Sequence, residues 1–206
     1  MDEQQLKAFI RRILKQDGYV PGGGGSPLLF PTPTTGDRVD LSNDASDATV
    51  TADMALNTLR AVLVRIPSTK AFTTAANINA TTLGGNVRVA LYNVSAAGYP
   101  TTLICESNAA ISILTAGVKA VTLSAAPSLT ANTIIAIAWN SDSATGVLRG
   151  HNLTQTVPIP NAGAAMGATV NNGWTIASTF GAMPATFTAG ATATNLVPPV
   201  ILLTAA

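Results

Sequence analysis

From Thr49 onward, apolar and polar residues alternate in short runs separated by Gly, Asn and Pro. A period of two over five to eight residues is the mark of strands with one face on a core. The alternation is clearest in Val87-Arg88-Val89-Ala90-Leu91-Tyr92, where Val87, Val89 and Leu91 share one face and Arg88 points the other way. Ile135, Ile137 and Trp139 repeat the pattern. The runs fall at 59–66, 71–78, 86–93, 102–111, 119–123, 133–140, 174–180 and 196–203. Their spacing predicts an all-β antiparallel sandwich of about eight strands. Pro198-Pro199 places the start of the last strand at a sheet edge or strand entry, where a missing N–H is tolerated.

The periodicity is different at the N-terminus. Leu6, Phe9, Ile10, Ile13 and Leu14 recur at helical spacing, so residues 2–15 read as an amphipathic helix with Asp2 as its cap. A single helix of this length needs tertiary or quaternary packing to persist, and its apolar stripe is expected to anchor the chain or to oligomerise it. Asp17-Gly18 ends the helix, and Pro21-Gly22-Gly23-Gly24-Gly25-Ser26-Pro27 reads as a flexible linker. The expected organisation is a helix over 1–17, a Gly/Pro-rich linker over 18–40 and a sandwich over 41–206.

Charge sharpens this picture. Only 10% of the 206 residues are charged, and from Gly150 to Ala206 there is no Asp, Glu, Lys or Arg. Soluble monomers keep charges of both signs over their surface, so an uncharged quarter predicts a surface covered by the rest of the domain, sister subunits or a larger assembly. A net charge of +1 with dispersed basic residues gives no basis for nucleic-acid binding. The N-terminus does not resemble a signal peptide, and no apolar run approaches the ~20 residues of a membrane span. The expected location is the cytoplasm of a host cell during synthesis, then a particle.

Four segments carry a resemblance. They are Leu59-Arg60-Ala61-Val62-Leu63-Val64-Arg65-Ile66-Pro67, Val87-Arg88-Val89-Ala90-Leu91-Tyr92-Asn93 with Gly98-Tyr99-Pro100, Leu129-Thr130-Ala131-Asn132 before Ile134, and Met183-Pro184-Ala185-Thr186-Phe187 before Pro199-Val200. Together they resemble a jelly-roll-like β-sandwich that recurs in virion proteins of tailed bacteriophages. The chain departs from that pattern where isoleucines at Ile134, Ile135 and Ile137 replace an aromatic pair. The resemblance implies a non-enzymatic virion protein, often trimeric and sometimes glycan-binding at its tip, and it transfers no site residues. A capsid decoration or head-fibre protein is expected, with its helix on other virion proteins such as the major capsid protein. A tail-fibre or receptor-binding protein is the competing reading.

Candidate chemistry is sparse. One cysteine, Cys105, and one histidine, His151, fall short of a zinc site, which takes about four ligands, and of a nucleophile with a positioned base. Cys105 is expected to be a buried strand residue, and His151 a loop residue. Asp37, Asp40, Asp44 and Asp47 form an acidic stretch, but Ala45 and Thr51 stand where a calcium loop needs Gly and an acid. Glu106 and Asp142 are the carboxylates of the β region after Asp53, and a glycosidase would need two across a cleft. No cofactor and no metal are expected. Tyr99 and Trp174, each beside a glycine, are the residues expected to stack on a host-surface glycan if the chain is a carbohydrate-binding module.

Overall fold

The structure, a computed structural model, describes residues 35–40, 51–52, 54–66, 69–82, 84–150, 159 and 171–206. The expected helix with Leu6, Phe9, Ile10, Ile13 and Leu14 lies outside these residues, as do most of the linker, His151, Asp44 and Asp47. The strands are β1 (Arg38–Asp40), β2 (Thr58–Arg65), β3 (Lys70–Thr82), β4 (Asn86–Val94), β5 (Pro100–Glu106), β6 (Ile111–Ser112), β7 (Gly117–Thr122), β8 (Ser128–Leu129), β9 (Ile134–Ser141), β10 (Val147–Leu148), β11 (Gly173–Ala177), β12 (Thr192–Thr194) and β13 (Leu202–Ala205). They form two antiparallel sheets of six and seven strands, the all-β sandwich that the alternation predicted.

The seven-stranded sheet has β2, β9 and β4 at its centre. Their register sets Val62 opposite Ile137, and Ile137 opposite Leu91. Val, Ile and Leu at alternate positions fit a pleated surface, because branched side chains pack well against cross-strand neighbours. Val62, Val64, Val87, Val89, Leu91, Ile135, Ile137 and Trp139 thus point to one side. There they join Phe72, Ala76 and Ile78 of β3, Val121 of β7 and Leu203 of β13 in the core between the sheets. Burying each large side chain there contributes about 1.5–3 kcal/mol.

β11 lies against β2 at close range. A Cβ on Gly173 would stand 2.5 Å from the Ala61 carbonyl oxygen and 3.0 Å from Val62 Cγ2. The Gly173 position is therefore fixed by the approach of two backbones.

Several boundaries differ from those expected. Thr35–Asp40 belong to the sandwich and not to the linker: β1 pairs with β13, and Gly36 N donates to the Ala205 carbonyl at 2.9 Å. The run 102–111 is broken after Glu106, where Ser107 bridges to Leu123 of the other sheet and Asn108 N donates to the Thr122 carbonyl at 2.8 Å. The last run forms a ladder only from Leu202, downstream of Pro198-Pro199. β1, β8, β10 and β12 have two or three residues each, too short for a period of two to register.

Candidate functional site

The seven-stranded sheet is apolar on both faces. Leu59, Ala61, Leu63, Ala90, Tyr92, Ala136 and Ala138 point away from the inter-sheet core and are buried, beneath Ile159, Met183 and Phe187. The roof is the stretch 178–191, which runs as a strap with almost no ladder of its own. It docks along β5 through an isolated bridge between Thr102 and Thr186. Leu103 N donates to the Ala185 carbonyl at 2.9 Å, and Phe187 N to the Thr101 carbonyl at 2.8 Å.

Side chains of the sheet hold the rest of the strap. The Tyr92 hydroxyl donates to the Pro184 carbonyl at 2.7 Å, and Asn140 Nδ2 reaches the Ser178 carbonyl at 3.3 Å. Glu106 Oε2 accepts from Met183 N at 2.8 Å and from Arg88 Nη1 at 3.2 Å. Burial, followed by the charge of Glu106, raises the Tyr92 phenol well above its ordinary range.

The two aromatic residues expected to contact a glycan come together at one end of this layer. Tyr99 sits in the β4–β5 turn, and Trp174 lies on β11. Their rings meet edge to face with centroids 4.8 Å apart, and Tyr99 meets Phe187 in the same way at 5.8 Å. Their polar atoms are engaged: Trp174 Nε1 donates to the Gly98 carbonyl at 2.9 Å, and the Tyr99 hydroxyl donates to the Thr188 carbonyl. The pair is a brace that fixes the turn at Gly98, and this role was not foreseen from the sequence.

Beside the brace lies a cleft of about 390 Å³, lined by Leu63, Val94, Ser95, Ala96, Gly98, Asn132, Thr133 and Ile134. Leu63, Val94 and Ile134 make its apolar floor, and Ser95, Asn132 and Thr133 bring polar groups to the rim. Asn132 has a positive φ of 63°, a conformation Asn tolerates better than most residues. The turn is held by Asn132 N donating to the Ile66 carbonyl at 2.8 Å. A second groove, of about 630 Å³, separates Ser107–Ser112 from the side of β7 that does not face β3, with Val118 and Lys119 on its wall.

The remaining candidates are built into the fold. Cys105 is buried on β5 and belongs to the inter-sheet core, where loss of solvation raises its thiol pKa to about 12. Asp142 accepts from Asn86 N at 2.6 Å and Asn86 Nδ2 at 2.7 Å, tying the end of β9 to β4. Glu106 is held by Arg88 and the strap, and neither carboxylate lines either cleft. Trp139 is 1% exposed in the inter-sheet core, in phase with Ile135 and Ile137 as expected. Among the described residues no group of three or more acidic, His or Cys side chains is placed to hold a metal, and no helix is long and apolar enough to cross a membrane. No protein-family model matches the chain, and no curated protein matches it.

Proposed function

We propose that this chain is a non-enzymatic structural protein of a tailed-phage virion, a homotrimeric β-sandwich displayed on the capsid surface as a decoration or head-fibre protein. The stripe of Leu6, Phe9, Ile10, Ile13 and Leu14 anchors it to another virion protein, the major capsid protein being the natural candidate. The observation that carries the reading is the outer surface of the strap. Ala182, Ala185, Thr186, Thr188 and Ala189 are exposed there, in a stretch without a charged side chain. Short Ala and Thr side chains lose little conformational entropy on contact, and absence of charge removes the desolvation cost of a close interface. Such a surface suits a sister subunit.

Light scattering on a sizing column tests the assembly. The full-length protein should have three times the chain mass, and Thr186→Lys with Thr188→Lys should shift it toward monomer. A monomeric parent protein overturns the trimer. Particle location is read separately, by mass spectrometry of purified phage particles; absence of the chain from them overturns the virion assignment.

A second reading is favoured by the cleft beside Tyr99 and Trp174. A carbohydrate-binding module needs an apolar floor for the C–H face of a sugar and convergent hydroxyl and amide groups around it, and Leu63, Val94 and Ile134 with Ser95, Asn132 and Thr133 supply these. A receptor-binding duty at a host-surface glycan would follow. Retention of the parent protein on a glycan array, lost in Ala96→Trp, is the expected result, and an empty array overturns this reading.

A further inference from the structure

The cleft beside the aromatic brace has an electrostatic bias that narrows its ligand. Arg65, the last residue of β2, is exposed and shares a face with Leu63 on the cleft floor, because side chains two apart on a strand point the same way. It is also directly opposite Ile134, which lines the cleft; cross-strand partners have Cβ atoms about 4.5–5.5 Å apart. The Cβ of Arg65 therefore lies beside the cleft, and its side chain is long enough to bring the guanidinium to the mouth. The lining itself contains no charged residue.

Among the described residues the carboxylates lie elsewhere, with Asp37 and Asp40 at β1 in the other sheet. Asp142 follows the far end of β9 from Ile134, about 25 Å along the strand at 3.2–3.4 Å per residue. Glu106 is turned to Arg88 and Met183 N. No acidic side chain among the cleft residues competes for Arg65, so the field at the mouth favours an anion.

Rim geometry adds a second constraint. Ser95 Oγ already accepts from Tyr99 N at 3.2 Å, and Thr133 Oγ1 donates to the Thr130 carbonyl at 2.6 Å. Each hydroxyl keeps further capacity, Ser95 to donate and Thr133 to accept. With the Asn132 amide, the rim offers both donors and acceptors, as vicinal sugar hydroxyls require. A volume of about 390 Å³ is near the lower end for ligand pockets, about 300–1,000 Å³, and suits one sugar ring.

Building on the carbohydrate reading above, we infer that the cleft takes a carboxylated sugar, a uronate-type residue within a host-surface polysaccharide. Its ring lies over Val94 and Ile134, and its carboxylate pairs with Arg65. Arg65 sets the preference for acid over neutral sugar; the floor and rim hold the ring.

The experiment is a calorimetric titration of the full-length protein with a glucuronate-containing disaccharide and with the same disaccharide after reduction of the carboxyl group to the alcohol. At low ionic strength the acidic sugar should bind about fivefold tighter, the upper range for an exposed ion pair. The difference should shrink as salt is added and vanish in Arg65→Gln, while binding of the neutral sugar stays unchanged. Equal binding of the two sugars overturns the acid preference and leaves the carbohydrate reading standing. Binding of neither overturns both. A preference that survives Arg65→Gln overturns the role of Arg65, and binding that survives Ala96→Trp overturns the cleft as the site. Ala96 is exposed in a turn, so that variant leaves the core intact.

Discussion

The two faces of the seven-stranded sheet are closed in different ways. On the inner face, aliphatic side chains of β2, β4 and β9 meet those of β3 and β13, strand against strand. On the outer face, small residues such as Ala61, Ala90, Ala136 and Ala138 leave room for a strap that adds Met183, Phe187 and a ring of hydrogen bonds. The first layer is held by area and packing, which tolerate no gap. The second is held by directional tethers at Tyr92, Glu106 and Asn140, which permit the strap to open while the sheet remains.

The contrast predicts a ranking. Trp139→Ala, on the inner face, should cost about 3–5 kcal/mol of global stability through the cavity it leaves, measured by denaturant unfolding. Phe187→Ala should cost less, about 2 kcal/mol, because the strap can detach and rehydrate without unfolding the sandwich. Native-state hydrogen exchange checks this: the amides of Met183 and Phe187 should exchange by local opening well before those of Val62 and Ile137. Equal costs and equal protection would make the two faces one cooperative unit.

Single tethers come next. Tyr92→Phe removes the donor to the Pro184 carbonyl and should cost about 1 kcal/mol, the net worth of a typical hydrogen bond, plus the penalty of a carbonyl left unpaired. Its main signature should be faster exchange in the strap with little change in inner-core protection.

The last effect is confined to alkaline pH. Cys105 on the inner face and Tyr92 on the outer both have raised pKa values, so the folded state keeps protons that the unfolded state releases. Stability is then unaffected below the ordinary thiol value and falls as pH rises from about 9 toward 12. Tyr92→Phe should flatten the fall only above the ordinary phenol range. At pH 8 a thiol reagent should leave native Cys105 unmodified and label it on denaturation.

How much of this was legible follows from the same contrast. Val87, Val89, Leu91, Ile135, Ile137 and Trp139 announce the inner face because they alternate with residues of another kind. Arg88 marks the other face in the sequence, yet Ala90 and Tyr92 beside it are buried. Alanines on a strand do not show whether water or a strap lies above them. The strap itself has no period, since its backbone pairs over a few residues only and its apolar anchors, Met183 and Phe187, are spaced by loop geometry. Tyr99 and Trp174 stand out in the sequence as aromatics beside glycines; their contact with each other, across 75 positions of chain, leaves no local signature. The cleft was invisible for a similar reason, because its floor joins β2, β4 and β9 and its rim joins two turns.

One feature of connectivity governs how the molecule comes into being. β13 lies between β1 and β3 in the six-stranded sheet, so nearly the last residues described form an interior strand and not an edge. Until residues 202–205 have left the ribosome, β1 has no neighbour and β3 keeps much of one side unpaired. Folding of that sheet must therefore await the end of its synthesis, and its rate is set by closing loops that span most of the chain. During that interval the nascent chain presents open strand edges, the state in which chaperone contact matters most.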